Sequence, residues 1–151
     1  MEKLPEIKAS YDWFFAHYQA EISDRAKGND IAGIDRMELR RDILERGIFV
    51  LMFGQFEKAV NSKFEDAVNA RAANPDWTHR RGWDTPSVKA KKVPFDTRLA
   101  MVLDSRKPSF GRILQTYAIR NHCAHGGTTS AVGSIDALVA DLYRWHGELR
   151  N

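Results

Sequence analysis

Several features that build particular classes of protein are scarce in this 151-residue chain. It has one cysteine, Cys123, so no internal disulfide can form, and we expect a reducing compartment. No apolar run approaches the length of a membrane span, because the most apolar stretch, 47–53, is followed at once by polar and charged residues. The first residues lack the basic and then apolar pattern of a secretion signal, so the expected location is the cytoplasm.

Neither sign of charge is in large excess. The net charge is +3, from 23 basic and 20 acidic residues, and the whole excess lies in the segment 74–94. A balanced chain with one locally basic segment indicates a local anionic partner and not a surface that coats nucleic acid.

The hydrophobic pattern is helical along most of the chain, without the alternation that is typical of strands. With 43% hydrophobic residues and only five prolines, a chain of this length can bury one core. We therefore predict a single all-α domain over 1–151, a bundle of about five helices around a long central antiparallel pair. The predicted helices cover 4–27, 35–73, 95–104, 108–125 and 134–150. Asp35 and Glu38 have the spacing of a capping box and predict the start of the second helix, and Ser134 is a predicted cap of the last.

The second predicted helix has more apolar residues than one buried face needs. A helix that is apolar on most sides is central in its bundle or shared with a second subunit. One stripe at helical spacing consists of Phe49, Phe53, Phe56, Val60, Phe64 and Val68, and a second one of Leu44, Ile48, Leu51 and Met52.

The basic segment, 74–94, has no periodicity and is long for a loop, which makes it a candidate site. Its cationic side chains can hold RNA phosphates while its tryptophans stack on bases. The alternative is a solvated loop whose tryptophans pack against the bundle. The candidate RNA-binding residues are Trp77, Arg80, Arg81, Trp83, Lys89, Lys91 and Lys92.

The densest group of ionisable side chains is 120–126, Arg-Asn-His-Cys-Ala-His-Gly, at the predicted end of the fourth helix. Asn121 and His125 share a helix face. Arg120 lies about 140° around the helix from His125 and must use its long stem to reach it, unless the helix loosens at Gly126. A guanidinium can bind phosphate oxygens. A helix C-terminus favours the protonated form of an imidazole, which can protonate a leaving oxygen. This combination suits phosphodiester chemistry.

The same residues allow structural interpretations. Arg120 and His125 can instead cap the helix end. A metal site that uses the two histidines and Cys123 is disfavoured, because successive helix positions diverge and no further ligand lies at a suitable spacing; we expect neither metal nor cofactor. Cys123 is expected to be a small buried packing residue, and His122 either lines the site or faces solvent. Glu57 on the second helix can contact the motif, although a solvated position is favoured.

The string Arg120-Asn121-x-x-x-His125-Gly126 lies late in an all-helical chain and follows a long helix that carries Phe-Gly-Gln-Phe-Glu-Lys at 53–58. In these features the sequence resembles the HEPN superfamily of small helical ribonucleases and nucleotide-binding domains. The resemblance covers nearly the whole chain in helix order, while its motif is confined to 120–126 and, more loosely, to the second helix. It implies a homodimer in which two motifs meet across a twofold axis and form one metal-independent RNA-cleaving site. It further implies that Arg120 and His125 are the catalytic pair and that Asn121 assists.

A dimer of this kind supplies both groups that proton transfer requires. Attack by the RNA 2'-hydroxyl needs a base and an acid, and two copies of His125 can serve as both, leaving a 2',3'-cyclic phosphate and a 5'-hydroxyl. Members of the superfamily commonly act as toxins of toxin–antitoxin pairs or in phage defence, which implies an antitoxin or a defence-complex protein as a partner. In one toxin group the antitoxin modifies a tyrosine two residues after the motif histidine. Gly127 stands at that position here, so this control is not expected.

Two other functions agree with the same residues. A helical module that binds RNA, a nucleotide or a partner protein without cutting needs the same arginine and histidine, because groups that stabilise a transition state also bind a resting phosphate. A bundle that serves only for dimerisation is the third possibility.

Overall fold

A computed structural model describes residues 1–83, 92–127 and 132–150 of the chain. Within these residues it forms six helices and no strand, which confirms the all-α class. None of the helices in these ranges is long and apolar enough to cross a membrane. The helices are α1 (Leu4–Lys27), α2 (Ile31–Ala72), α3 (Trp77–Arg80), α4 (Phe95–Val102), α5 (Pro108–Ala124) and α6 (Ile135–Glu148).

Helix α2 begins one turn earlier than the sequence pattern predicts, so the capping box at Asp35 is wrong. The cap is Asp30, whose Oδ1 accepts a 2.9 Å hydrogen bond from the backbone N of Gly33 and whose Oδ2 binds Arg25. A Cβ at Gly33 would overlap the Asp30 carboxylate, so the glycine makes room for this cap. Asp35 lies inside the helix, exposed to solvent.

The basic segment contains α3, a single turn that the sequence analysis missed because four residues are too few to show a period. Asp76 is its cap, and its Oδ1 accepts a 2.8 Å hydrogen bond from the backbone N of Thr78. Helix α4 ends two residues before its predicted end, since Leu103 is already extended. The predicted cap of α6 is confirmed, because Ser134 Oγ accepts a 3.3 Å hydrogen bond from the backbone N of Ala137.

The chain divides into two compact units. The unit that we call the motif unit comprises Glu2–Gln55 and Tyr117–Asp141, and the loop unit comprises Met1, Phe56–Thr116 and Leu142–Asn151. Helices α2, α5 and α6 contribute residues to both units.

In the motif unit, α1 runs antiparallel to the first part of α2. The backbone N of Lys3 donates to Gln55 Oε1 at one end of the pair, and the Tyr11 hydroxyl donates to Glu45 Oε1 at 3.2 Å further along. Burial of the Tyr11 hydroxyl and, to a smaller extent, the negative charge of the nearby Glu45 carboxylate raise the pKa of Tyr11 to about 12. The buried apolar residues of this unit are Leu4, Tyr11, Met37, Ile48, Phe49, Met52, Phe53, Ile135 and Leu138.

The loop unit has its own buried core, to which the second part of α2 contributes the predicted Phe56, Val60, Phe64 and Val68. The Phe56 ring meets the Trp145 ring of α6 edge to face, with centroids 5.9 Å apart. The predicted aromatic stripe is therefore core along its whole length, as the helical spacing indicates.

Candidate functional site

Helix α5 ends in a Schellman motif that places His125 just beyond the last helical turn. The backbone N of Gly127 donates to the carbonyl of His122 at 2.9 Å, and that of Gly126 donates to the carbonyl of Cys123 at 3.1 Å. Gly126 has φ +81°, a conformation that a residue with a Cβ rarely adopts. The helix thus loosens at Gly126, one of the two ways in which the spacing allowed Arg120 and His125 to share a site.

The Arg120 side chain is directed towards its neighbour Asn121. Its Nη1 donates a 2.9 Å hydrogen bond to Asn121 Oδ1, and both side chains are half-buried. Asn121 remains in helical register with His125, whose backbone N donates to the Asn121 carbonyl at 3.1 Å. The guanidinium is therefore held on the side of the helix that Asn121 shares with His125.

His125 is exposed, and within the described ranges its imidazole takes part in no hydrogen bond or ion pair. The carbonyls that a capping histidine would bind, those of His122 and Cys123, already accept from the two glycines. The structure thus gives no support to the capping role of His125. An exposed imidazole at this position can reach a ligand that approaches the helix end.

His122 is exposed, and its ring lies against Gly127. A Cβ at Gly127 would overlap the His122 imidazole, so any larger residue there would displace the ring. Gly127 is therefore required by local packing, as long as His122 keeps its position.

An apolar groove of about 670 Å³ lies beside the helix end, within the motif unit. Cys123 is half-buried and lines it, so the expectation of a buried packing residue is corrected. Ile43 and Leu51 on its α2 wall are each 57% exposed. Leu51 belongs to the second apolar stripe of α2, whose Ile48 and Met52 are buried, so this chain covers that stripe only in part. The lining residues are Ile43, Leu44, Arg46, Gly47, Ile48, Val50, Leu51, Cys123, Ala124, Gly126 and Gly127.

Gly47 in the middle of this wall has no role in packing among the described residues. A Cβ added there would have no atom within 4 Å. A glycine inside a helix costs about 1 kcal/mol of stability relative to alanine. Because Gly47 has no side chain, another backbone has room to approach this open apolar face closely.

The described part of the basic segment forms two arginine–tryptophan pairs in the loop unit. Trp77 is 57% exposed, and the Arg81 guanidinium lies 5.3 Å from its ring centroid. Trp83 is half-buried beneath Arg71 of α2, at 4.4 Å, a partner that the sequence analysis did not identify. Arg80 is directed back to the chain, since its Nη1 donates to the carbonyl of residue 74 at 3.3 Å.

The structure describes only some of the remaining candidate site residues. Lys92 is exposed, whereas Lys89 and Lys91 lie outside the described residues. Glu57 is half-buried on α2 and belongs to the loop unit, so its contact with the motif stays a prediction. In the described ranges there is no group of three or more His, Cys, Asp or Glu side chains that could hold a metal ion.

Comparison with known proteins leaves the family open. No protein-family model matches the chain. Neither a curated protein nor a solved structure matches it.

Proposed function

We propose that the protein is a metal-independent endoribonuclease of the HEPN type, which works as a homodimer in the cytoplasm. Its catalytic residues are Arg120 and His125, with Asn121 as the residue that positions Arg120. The observation that carries the proposal is the end of α5, where an exposed histidine and an arginine held by its neighbour lie beside an open apolar groove.

The proposed reaction is transesterification by the RNA 2'-hydroxyl. One His125 imidazole accepts the 2'-hydroxyl proton as the 2'-oxygen bonds to phosphorus, and the other, protonated, gives a proton to the departing 5'-oxygen. Arg120 binds the non-bridging oxygens and stabilises the charge that develops on them. The bond from phosphorus to the 5'-oxygen breaks, leaving a 2',3'-cyclic phosphate and a 5'-hydroxyl.

A second copy of the chain is the proposed occupant of the groove. The exposed apolar residues Leu39, Ile43 and Leu51 follow one another at four- and eight-residue spacing on α2, with Gly47 between them. Such a stripe costs solubility in a monomer and buries well against a copy of itself. Because Gly126 and Gly127 form part of the same groove, a dimer that uses it brings two motifs to one interface.

RNA binding outside the motif is assigned to the basic segment. The exposed face of Trp77 is available for stacking on a base, and Arg81 and Lys92 add positive charge. A ribonuclease of this kind is harmful to its own cell, so we propose control by an antitoxin or by a defence complex.

The test is cleavage of total RNA in excess EDTA, with analysis of the fragment ends. The wild type should produce cyclic-phosphate ends, and Arg120→Ala and His125→Ala should each abolish cleavage while remaining folded. His146→Ala is the matched control, because it removes an exposed histidine of the loop unit, and it should cut at the wild-type rate. Cleavage by His125→Ala at the wild-type rate contradicts the proposal, as does a loss of activity on chelation.

If no variant cuts, binding separates the remaining possibilities. Retained RNA or nucleotide binding that depends on Arg120 would make the protein a binding module, in which the motif holds a phosphate without breaking it. If changes to the motif alter only the melting temperature, the protein is a dimerisation bundle.

A further inference from the structure

A second pocket, of about 440 Å³, lies in the loop unit where α5 begins. Its walls come from the start of α5 and from the last turns of α6. Its three cationic lining residues are Lys107, Arg112 and Arg144. Its one carboxylate is that of Glu148, and Pro108 and Ser109 complete the lining. The pocket therefore has an excess of two positive charges.

The single carboxylate is already engaged. Glu148 Oε2 accepts hydrogen bonds from the buried Ser109 hydroxyl at 2.8 Å and from Lys107 Nζ at 3.2 Å. These hydrogen bonds, of which the one from Ser109 has the larger effect, hold the pKa of Glu148 below its usual range. Glu148 is therefore ionised at neutral pH. Glu148 thus anchors one wall of the pocket through its bonds to Ser109 and Lys107.

The position of the cations on α5 is unfavourable for the helix alone. The first turn of α5 has no acidic residue, and Lys107 lies directly before the end at which the helix dipole is positive, with Arg112 one turn further along. Cations are disfavoured there, whereas an anion is stabilised by the dipole and by the side chains together. The side chains of two helices thus form a cavity whose charge is complementary to an anion.

We propose that this pocket binds a phosphate group of the RNA backbone, at a site separate from Arg120 and His125. Arg112 is the principal ligand: it is exposed, and in the described ranges its guanidinium has no ion pair. A guanidinium binds two phosphate oxygens at once, and Arg144 and Lys107 supply further charge. The identity of the polymer rests on the proposed function, while the phosphate chemistry rests on the pocket.

The first experiment measures binding of a 2'-O-methyl oligonucleotide, which cannot be cleaved, to the full chain at several salt concentrations. Arg112→Glu should weaken binding about tenfold or more and reduce the salt slope by about 0.7, the contribution of one phosphate contact on a single strand. Lys58→Glu makes the same charge change at an exposed residue of the same unit and should have a much smaller effect. Equal losses in the two variants would show a general charge effect and overturn the proposal.

The second experiment uses inorganic phosphate and does not depend on RNA. Phosphate, compared with chloride at equal ionic strength, should raise the melting temperature of the wild type and of His125→Ala more than that of Arg112→Glu, which keeps only the general stabilising effect of phosphate. Equal shifts in all three, or none, overturn the phosphate pocket. If phosphate stabilises the proteins that keep Arg112 more than Arg112→Glu, but the oligonucleotide affinities of Arg112→Glu and Lys58→Glu agree, the pocket takes free phosphate and its role for RNA is wrong. Neither readout requires that the protein cut RNA, so each result is separate from the outcome of the cleavage test.

Discussion

Arg120 Nη1 and Asn121 Oδ1 are 2.9 Å apart, although the two residues are consecutive on α5. Consecutive side chains on a helix diverge by about 100°, so this bond requires the arginine stem to bend towards its neighbour. The Asn121 amide therefore restrains the direction of a guanidinium that otherwise has many rotamers. In the proposed enzyme Asn121 is therefore a positioning residue, and an asparagine directly after the arginine suits that site.

Asn121→Ala should reduce RNA cleavage by about 10- to 100-fold, because a displaced group loses much of its effect on the transition state. The loss should appear mainly in kcat, and the free energy of unfolding should change little. Gln115→Ala is the control, since it removes an exposed amide from the same helix. A wild-type rate in Asn121→Ala would refute the positioning role.

Gly126 and Gly127 are adjacent but should respond differently to alanine. At Gly126 the positive φ opposes any Cβ, and Gly126→Ala should lower the free energy of unfolding by about 1 kcal/mol. At Gly127 the obstacle is the His122 ring, which can rotate away, so Gly127→Ala should change stability less and shift the His122 ring resonances. Urea unfolding and proton NMR measure both effects. Unchanged His122 resonances would show that the ring does not lie on Gly127.

The proposed dimer predicts that Leu51→Arg produces a monomer without RNase activity. Leu51 is 57% exposed, so arginine can be accommodated in the single chain, whereas in a dimer it would bury a charge. Tyr143→Arg is the control, because Tyr143 is another large exposed side chain, 48% exposed, outside the groove. Sedimentation equilibrium and the cleavage rate are the measurements. A dimeric, active Leu51→Arg would place the interface elsewhere.

The helix ends show which structural features a local sequence pattern can predict. Ser134 and Gly126 were identified correctly, because a cap depends on a residue and on its immediate neighbours. The predicted start of α2 is wrong, because Asp30 and Asp35 are both acceptable caps. What favours Asp30 is a combination of Arg25, which binds its carboxylate, and Gly33, which makes room for it.

The position of the candidate site at the end of α5 is predictable from the sequence, but its geometry is not. The spacing brings Arg120 and His125 to one helix end, and the structure shows them there. The bend of Arg120 towards Asn121 depends on a rotamer, which spacing does not determine. The groove depends on how α2 lies against the end of α5, a contact between residues far apart in the sequence. For the same reason the pairing of Trp83 with Arg71 was missed.

Trp77 should contribute to RNA affinity through stacking. Trp77→Ala should weaken binding of a 2'-O-methyl oligonucleotide by about 1–3 kcal/mol, and Trp77→Phe should retain most of it. Trp13→Ala is the control, because Trp13 is 66% exposed on α1, outside the basic segment. Fluorescence anisotropy measures the affinities. If Trp77→Ala and Trp13→Ala bind equally well, Trp77 does not stack on a base.

The lowered pKa of Glu148 predicts that the protein loses stability in acid. Its bonds to Ser109 and Lys107 hold its pKa below the ordinary value of 4.5, so the stability that they contribute is complete above pH 4.5 and is lost as the pH falls through the lowered pKa. Glu148→Gln should therefore be less stable than the wild type at pH 7, and the difference should shrink towards pH 3. Ser109→Ala removes the larger cause and should weaken the same pH dependence. Urea unfolding at a series of pH values measures these differences. A gap between the wild type and Glu148→Gln that stays constant with pH would show that the Glu148 charge does not stabilise the fold.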